Sequence, residues 1–540
     1  TNTSNKASSF SGKTWPVARK NLAGSTNLSK LKTTPPGETG GCIISHAPGT
    51  GKTRLTIVFI ETYMKLFPNC RPVIIAPAGM LLTWEEEFRK WNVEFPFINL
   101  NHTEISDKEK KIALGLLAGP KRRGMNTIRM VNLYTWSRGG AVLGISYSLF
   151  EKLTGENKHE GHTPRNQRSN IWNVLLKLQT EKRVILSGTP FQNNFSELFN
   201  TLHLVRPAIA DALAQEKALS EMFSEVDGRA VERLKISMAP FVHVHKGTIL
   251  QQSLPGLRDC VVVLKPPPLQ KSLIEKLEGT PSTFQFEHKA ALLSVHPYLF
   301  QHSDSTEEER IGIDLAAVEA SRLNPNEGVK TKFILEFVRL SAVIKEKVLV
   351  FSQYIQPLEL IKEQLKEVFK WADGKEILRM QGKLDQRQRQ NLINVFNDPQ
   401  NESRVMLAST RCCSEGISLV GASRVILLDV VWNPSVETQA ISRAYRIGQK
   451  KFVYTYHLMT SGTTEADKYC RQAEKERLSE LVFTSSSNES SSKEKASGSS
   501  IEEDKILGAM VDHASLKEMF DKIINQPKDM NLIQTFGLVS

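Results

Sequence analysis

A chain of 540 residues is too long for one typical domain, so its length predicts at least two. The formal net charge of +12 favours a polyanionic partner, because each phosphate neutralised by lysine or arginine releases counterions. A solvated basic face would give the same charge, and charge alone leaves both interpretations open. The six cysteines include no C-x-x-C pair, which excludes a zinc site of that type and indicates a reducing compartment. No run of about 18 apolar residues occurs, which excludes a transmembrane helix.

The N-terminal segment, residues 1–38, is rich in Ser, Thr, Asn and Lys, and it closes on Pro35-Pro36-Gly37. This composition predicts a flexible segment or insertion ahead of the first core strand. It contains neither an initiator methionine nor an apolar signal region, so we expect a fragment or an incomplete gene product that is not secreted.

Residues 39–245 have an α/β pattern, with short apolar runs that end in turn-forming residues and are followed by helical periodicity. Such runs are typical of buried parallel strands joined by crossover helices. The predicted strands of this first lobe are Cys42 to Ser45, Val73 to Ala76 and Arg183 to Leu186.

Residues 246–328 are predicted to form a connector with helical protrusions and one candidate strand at Val261 to Leu264. A second α/β lobe follows at residues 329–483, with predicted strands at Val348 to Phe351, Val405 to Ala408 and Arg424 to Leu428. Residues 484–500 form a Ser-rich run that predicts disorder. Residues 501–540 are predicted to be helical, with an amphipathic helix around Ile506 to Ile524 that packs on the two-lobed body and does not form a separate module.

A candidate phosphate-binding loop follows the first predicted strand. Its residues are His46, Ala47, Pro48, Gly49, Thr50, Gly51, Lys52 and Thr53. Glycines let backbone N–H groups surround phosphate, a lysine in this position contacts the β and γ phosphates of ATP, and Thr53 at the helix N-terminus is suited to Mg²⁺. His46 replaces the first glycine of the usual pattern, and an ordinary glycine-rich turn is the alternative.

Further motifs follow the loop in a characteristic order. They are Ala76-Pro77-Ala78 with Thr83-Trp84, Ser187-Gly188-Thr189-Pro190, Phe351-Ser352-Gln353, Ser409-Thr410-Arg411, Ser414-Glu415-Gly416, Trp432-Asn433-Pro434, and Gln439 with Arg443, Arg446, Gly448 and Gln449. Together with the phosphate loop and in this order, they resemble motifs I, Ia, III, IV, V and VI of the Swi/Snf family of helicase superfamily two. The resemblance implies an α/β fold with two RecA-like parallel-sheet lobes and helical insertions, ATP and Mg²⁺ as cofactors, double-stranded DNA or chromatin as a partner, and a nuclear location.

Arg443 and Arg446 are three residues apart on a predicted helix, which places them on one face. Paired guanidinium groups stabilise charge on a transferring phosphoryl group, so both are candidate catalytic residues, with Gln449 as a nucleotide contact. A solvent-facing basic helix is the alternative for such a pair in isolation.

Contacts to nucleic acid are predicted at two strand ends. The resemblance places Thr189 in a loop that couples nucleotide to nucleic acid, and it places Ser409, Thr410 and Arg411 against the phosphate backbone. Contacts of that kind carry no base-sequence information.

Motif II departs from the family pattern. An apolar strand should end in Asp-Glu-x-His, but this chain has His159-Glu160-Gly161-His162 without an apolar run before it. Glu160 remains the candidate that orients the attacking water. One explanation is a genuine loss of metal binding, since neutral histidine is a poor ligand for Mg²⁺. The other, which we favour, is that a segment carrying a strand and an aspartate is missing, because decay of function would hardly begin with a central strand. Either way, ATP hydrolysis is expected to be weak or absent.

Three short stretches of sequence are similar to the plant CLASSY group. They are the residues around the phosphate loop, Glu160-Gly161-His162-Thr163-Pro164 and Phe191-Gln192-Asn193-Asn194. This resemblance implies a part in RNA-directed DNA methylation, with RNA polymerase IV and silencing-complex proteins as partners in small-interfering-RNA production. Two functions remain open: a DNA-dependent ATPase that translocates on duplex DNA, and a non-enzymatic scaffold that recruits silencing partners.

Overall fold

The computed structural model describes most of the chain between residues 40 and 527. The described residues are 40–101, 125–154, 169–180, 182–188, 195–215, 228–245, 250, 253–277, 284–302, 313–382, 384, 386–410, 412, 417–483 and 504–527. The predictions for residues 1–38 and 484–500 lie outside them.

The first lobe begins with strands and helices in strict alternation. Its elements are β1 (Cys42–His46), α1 (Lys52–Leu66), β2 (Val73–Ala76), α2 (Ala78–Lys90), β3 (Phe97–Asn99), α3 (Met125–Ser137), β4 (Val142–Ser146), α4 (Tyr147–Leu153), α5 (Asn170–Leu176), β5 (Val184–Ser187), α6 (Phe195–Val205), α7 (Pro207–Gln215), α8 (Gly228–Met238) and β6 (Val242–His245). The three predicted strands of this lobe are therefore confirmed to within one residue at either end.

Two separate parallel sheets make up this lobe. One has the order β5-β1-β6 and the other the order β2-β4-β3. In the described residues no strand is hydrogen-bonded to both sheets, and β5 and β2 each form an outer edge. Val184 on β5 and Val73 on β2 have exposed fractions of 38% and 40%, which is unusual for the valines of a parallel sheet.

The second lobe is larger and includes much of the predicted connector. Its elements are β7 (Leu257–Leu264), α9 (Pro268–Leu277), α10 (Phe284–Val295), α11 (Leu315–Ala320), α12 (Val329–Val343), β8 (Lys347–Ser352), α13 (Ile355–Phe369), β9 (Ile377–Met380), α14 (Gln386–Asn397), β10 (Val405–Ser409), β11 (Ala422–Leu427), α15 (Pro434–Ala444), β12 (Val453–Thr460), α16 (Glu465–Phe483), α17 (Lys505–Asp512) and β13 (Phe520–Asn525), with short 3₁₀ turns at Pro297–His302, Pro325–Glu327 and Lys517–Met519.

One seven-stranded sheet organises this lobe, in the order β13-β7-β12-β11-β8-β10-β9. All its strands are parallel except β13, which runs antiparallel to β7. Every residue of β8, β10, β11 and β12 is buried, because apolar clusters cover both faces of the sheet. The candidate strand at Val261 to Leu264 is thus the second half of β7, which lies in the predicted connector but pairs with β12 of the second lobe.

The C-terminal segment corrects one prediction. The proposed amphipathic helix over Ile506 to Ile524 ends at Asp512, where α17 stops, and residues Phe520–Asn525 form the edge strand β13. The apolar residues fit both structures, and the free edge of β7 decides between them by offering hydrogen bonds to a strand. Arg424 fastens the segment to the lobe, because its guanidinium donates to Asp504 at 2.5 Å and to Glu346 at 2.6 Å.

Candidate nucleotide site between the two lobes

The phosphate loop has the backbone shape that its sequence predicts. Gly49 and Gly51 adopt φ angles of 81° and 90°, in the left-handed region that favours glycine. The Thr50 hydroxyl donates to the Ala47 carbonyl at 2.7 Å, which tightens the turn before α1 begins at Lys52. The first turn of α1 contains no acidic residue, so its N-terminus is open to an anion.

Lys52 lies folded back over this loop. Its ammonium donates to the carbonyl oxygens of His46 at 2.7 Å and Ala47 at 3.0 Å. Burial, together with the positive charge of Arg443, lowers the pKa of Lys52 to about 8. Both effects disfavour an isolated cation and would be relieved by a bound polyphosphate.

Three histidines surround the end of β1, which the sequence alone did not reveal. His46 Nε2 lies 2.7 Å from His243 Nδ1, and the His46 and His245 ring centroids are 5.4 Å apart. Burial, and then the charge of His243, lowers the pKa of His46 to about 4, so His46 is neutral at physiological pH. Alternation along β6, which pairs with β1, places His243 and His245 on one face, and the sequence offered only that signal.

The two candidate arginines lie at the end of α15. Asn433 caps this helix by accepting from the Ser435 N–H at 3.0 Å, and Pro434 occupies its first turn. The helix ends at Ala444, so the prediction that Arg446 shares its face with Arg443 is wrong. Arg446 instead lies in the following turn, where its guanidinium donates to the Ile417 carbonyl at 2.8 Å.

Both arginines nevertheless lie near the phosphate loop of the other lobe. Arg443 is close enough to Lys52 to contribute to its lowered pKa. A Cβ atom placed on Gly49 would lie 3.4 Å from the Cβ of Arg446. Arg443 and the turn that carries Arg446 therefore lie beside the phosphate loop of the other lobe.

Gln449 is held by the backbone. Its amide nitrogen donates to the carbonyl oxygens of Val420, Ala422 and Ala444 at 3.2, 2.8 and 3.2 Å, and its Oε1 accepts from the N–H groups of Lys450 and Lys451. In this structure Gln449 fixes the turn that carries Arg446.

Of the other predicted site residues, the structure describes some and not others. Glu160, Thr189 and Arg411 lie outside the described residues. Ser409 is buried at the end of β10, and the neighbouring Thr410 N–H donates to the Ser352 carbonyl at 2.9 Å, at the same edge of the second-lobe sheet. These positions do not show whether the residues contact nucleic acid. The assignment of Thr189, Ser409, Thr410 and Arg411 as nucleic-acid contacts therefore stays a prediction.

The described residues suit the two proposed cofactors to different degrees. Backbone N–H groups, Lys52 and the two arginines offer what a triphosphate requires. For Mg²⁺ the loop offers the Thr53 hydroxyl, and no group of three or more metal-binding side chains occurs among the described residues. When ATP and Mg²⁺ are bound, they would supply the phosphoryl group and charge neutralisation.

Comparison with known proteins gives the class of protein. A model of the SNF2-related domain matches residues 15–297, and a model of the helicase conserved C-terminal domain matches residues 329–448. The chain therefore belongs to the SNF2 family of helicase-like ATPases. No described helix is long and apolar enough to cross a membrane.

Among curated proteins the chain is similar to two members from Arabidopsis thaliana. It is 52% identical to SNF2 domain-containing protein CLASSY 3, over 96% of this chain and 41% of that protein, and 51% identical to CLASSY 4, over 95% and 48%. The chain thus spans less than half the length of either relative. A solved Sulfolobus solfataricus SWI2/SNF2 ATPase core in complex with dsDNA is 19% identical, with a TM-score of 0.35, over 87% of this chain and 97% of that one.

Both alignments are longer than the chain itself. They extend over 574 and 546 residues, against 540 in this chain. Each relative therefore contains residues without a counterpart here.

Proposed function

We propose that the chain is the motor region of a nuclear ATP-dependent DNA translocase or chromatin remodeller. The observation that carries this proposal is the position of Arg443 and of the turn with Arg446 beside the phosphate loop of the other lobe. In such a site, Lys52 would hold the β and γ phosphates of ATP, and the arginines would supply positive charge that stabilises the transferring phosphoryl group. Lobe closure and nucleotide chemistry are then coupled, because the two halves of the site belong to different lobes.

The proposed substrate is duplex DNA, which agrees with the net charge of +12. The similarity to the CLASSY proteins supports a more specific role in RNA-directed DNA methylation, in which the protein aids recruitment of RNA polymerase IV and production of small interfering RNA. This chain covers 41% and 48% of those two relatives, so the role of the whole protein is part of the proposal.

Nucleotide binding provides the direct test. We expect a fluorescent ATP analogue to bind the chain, and Lys52→Ala to weaken that binding by roughly tenfold or more, as loss of a charge-assisted contact predicts. Lys65→Ala, an exposed lysine on the same helix, is the matched control and should bind like the wild type. Equal affinity in Lys52→Ala would remove Lys52 from the site.

Turnover is a separate measurement. We expect Arg443→Ala to lower the rate of ATP hydrolysis, measured in the presence of duplex DNA, by about 100-fold. Arg339→Ala, on the surface of α12, should leave this rate unchanged. An unchanged rate in Arg443→Ala would contradict the role of that arginine.

The second candidate function is a recruiting scaffold that binds DNA and silencing partners without hydrolysing ATP. The two sheets of the first lobe favour it, because no described strand is hydrogen-bonded to both of them. In this case partner capture persists in Arg443→Ala and in Lys52→Ala. A Lys52→Ala protein that no longer captures the polymerase would count against the scaffold.

A further inference from the structure

A buried histidine of the second lobe lies between two carboxylates. His457 on β12 has its Nε2 2.8 Å from Asp259 Oδ1 on β7, and its Nδ1 3.3 Å from Glu437 Oε2 on α15. The side chains of His457, Asp259 and Glu437 have exposed fractions of 5%, 12% and 8%. Tyr469 of α16 covers the imidazole edge-on, with the two ring centroids 5.3 Å apart. These three charged groups therefore form one buried set, the Asp259–His457–Glu437 triad.

The geometry of the triad favours a charged imidazole. An ionised carboxylate accepts hydrogen bonds and cannot donate them, whereas a neutral imidazole has one N–H. Only the protonated ring donates to Asp259 and to Glu437 at once. Burial acts to lower the pKa of His457, but the two carboxylates outweigh burial and raise that pKa to about 10.

Glu437 connects this cation to the helix that carries Arg443. Its second oxygen, Oε1, accepts from the Val431 N–H at 3.3 Å, so both carboxylate oxygens are held by groups outside the helix. Glu437 thus gives the first half of α15 directional contacts with its surroundings. The apolar side chains that α15 buries are small, namely those of Pro434, Ala440 and Ala444.

Arg443 lies near the other end of the same helix. Six residues of an α-helix separate two side chains by about 9 Å along the axis and about 120° around it, so Glu437 and Arg443 face different neighbours. Arg443 is 7% exposed, and its carbonyl accepts from the Leu419 N–H at 2.8 Å. Its charge also contributes to the lowered pKa of Lys52 in the other lobe.

The length of α15 makes its anchoring important for Arg443. A helix of 11 residues is about 16 Å long, so a tilt of about 10° moves one end relative to the other by about 3 Å. A misplacement of about 1 Å can lower the rate of a positioned reaction by about 100-fold. A contact that holds the first turn of α15 therefore affects what the last turn presents to the phosphate loop.

We propose that the Asp259–His457–Glu437 triad positions Arg443: charged His457 holds the first half of α15 on β12 and β7, and this keeps Arg443 beside the phosphate loop. His457 and Glu437 are positioning residues, because they act through Arg443. The inference rests on the proposed nucleotide role of Arg443. A second buried ion pair of this lobe, Lys330 with Glu465, joins α12 to α16 and leaves α15 aside.

A double-mutant cycle on nucleotide binding tests the coupling between Glu437 and Arg443. Glu437→Ala suits this purpose because His457 keeps Asp259 as its partner, so the buried charges stay balanced. We expect Arg443→Ala and Glu437→Ala each to weaken binding of a fluorescent ATP analogue by about tenfold. The double variant should also lose about tenfold, because a displaced Arg443 has nothing left to contribute.

Two controls separate positioning from general loss of stability. Glu437→Gln keeps the length of the side chain and an oxygen that accepts hydrogen bonds, so affinity should stay within about threefold of the wild type. Lys347, at the amino end of β8, donates to the Phe396 and Asp398 carbonyls at 2.9 and 2.7 Å. Lys347→Met should destabilise the same lobe and leave affinity within about twofold, because it does not touch α15.

A further measurement needs no nucleotide. Burial and the positive charge of Arg443 together lower the pKa of Lys52 to about 8, so this pKa reports whether Arg443 is near. It can be measured from the pH dependence of Lys52 acetylation by acetic anhydride, followed by mass spectrometry. We expect the pKa of Lys52 to rise in Arg443→Ala and in Glu437→Ala, and to stay near its wild-type value in Lys347→Met.

The outcomes distinguish this inference from the proposed function. Wild-type affinity in Arg443→Ala would contradict the nucleotide role of that arginine, and the pKa of Lys52 would then decide whether the triad positions it. The inference itself is overturned if Glu437→Ala leaves the pKa of Lys52 unchanged, or if the two losses of affinity multiply to about 100-fold in the double variant. Equal weakening in Lys347→Met would also overturn it, since lost stability would then explain the effect.

Discussion

Both lobes are built from parallel strands and helices, but they differ in whether their described strands form one continuous sheet. In the second lobe the strands form one seven-stranded sheet, whose inner strands are wholly buried. In the first lobe six strands are divided between two sheets, and edge valines are partly exposed. The comparison teaches that a nucleotide loop can keep its local geometry while the sheet that supports it is interrupted.

The lobes also differ in how they treat buried charge. The second lobe holds ionic groups in its interior, and Lys330 is fully buried with its ammonium 2.7 Å from Glu465 Oε1. The first lobe buries a histidine that stays neutral, His46, as the second lobe does at His296, but the described residues of the first lobe contain no fully buried ion pair like that of Lys330. These differences predict that the lobes respond differently to substitution and to pH.

The largest expected effect is the loss of Lys330. Its ammonium also donates to the Leu428 carbonyl at 2.8 Å, so Lys330→Ala leaves buried acceptors and a buried carboxylate without their cation. We expect the free energy of unfolding of the second lobe to fall by about 3–5 kcal/mol. Hydrogen exchange of peptides from β8, compared with peptides from β4, separates this lobe from the first.

Lys332→Ala, on the same helix but half-buried, is the control and should change stability by less than about 0.5 kcal/mol. A similar loss in both variants would mean that the helix, and not the ion pair, is responsible.

The next effect is a difference in pH dependence. Burial acts to lower the pKa of His457, but Asp259 and Glu437 outweigh it and raise the pKa to about 10. Because the pKa is raised in the folded state, protonated His457 stabilises the fold. This stabilisation is complete below the ordinary pKa of 6.5 and is lost as the pH rises toward 10. We expect the second lobe to lose stability by a few kcal/mol across this window, and His457→Gln to remove most of that slope.

In the first lobe the sign is reversed. The pKa of His46 is lowered to about 4, so its stabilising effect is present above 6.5 and is lost as pH falls toward 4. Urea unfolding at several pH values, with each lobe followed by hydrogen exchange, measures both windows. His302→Gln, at an exposed histidine, should change neither slope, and an alkaline slope that persists in His457→Gln would contradict the assignment.

A smaller effect is expected within the interrupted lobe. A Cβ atom on Gly144 would lie 2.2 Å from Phe97 Cζ, so Gly144→Ala forces β3 and β4 apart. We expect a loss of about 1–3 kcal/mol in thermal or urea unfolding of the first lobe. Adding Phe97→Leu should recover part of this loss, and no recovery would show that the strain lies in the backbone.

The smallest expected effect is a gain in stability of the C-terminal segment. Gly508 lies inside α17, and a Cβ atom there would meet nothing within 4 Å. We expect Gly508→Ala to stabilise the docked segment by about 0.5–1 kcal/mol, because alanine loses less backbone entropy in a helix. Slower proteolysis of residues 504–527 would confirm it, and faster proteolysis would contradict it.

Much of the fold follows from local patterns. Apolar runs such as Val348 to Phe351 predict strands because both faces of a parallel sheet are buried, and turn residues mark their ends. The shape of the phosphate loop also follows from sequence, because Gly49 and Gly51 alone in that loop adopt the left-handed conformation at low cost. The strand β13 could not be predicted, since its residues suit a helix equally well and only the edge of β7 selects a strand.

The sequence by itself determined the family, the phosphate loop, the second-lobe strands and the absence of an apolar strand before Glu160. Only the tertiary structure decided that Arg446 lies beyond its helix and beside the loop, that three histidines gather at the end of β1, and that the described first-lobe strands form two sheets. The physical reason is distance along the chain. Local conformation depends on neighbouring residues, whereas sheet order and contacts between lobes depend on groups that are hundreds of residues apart.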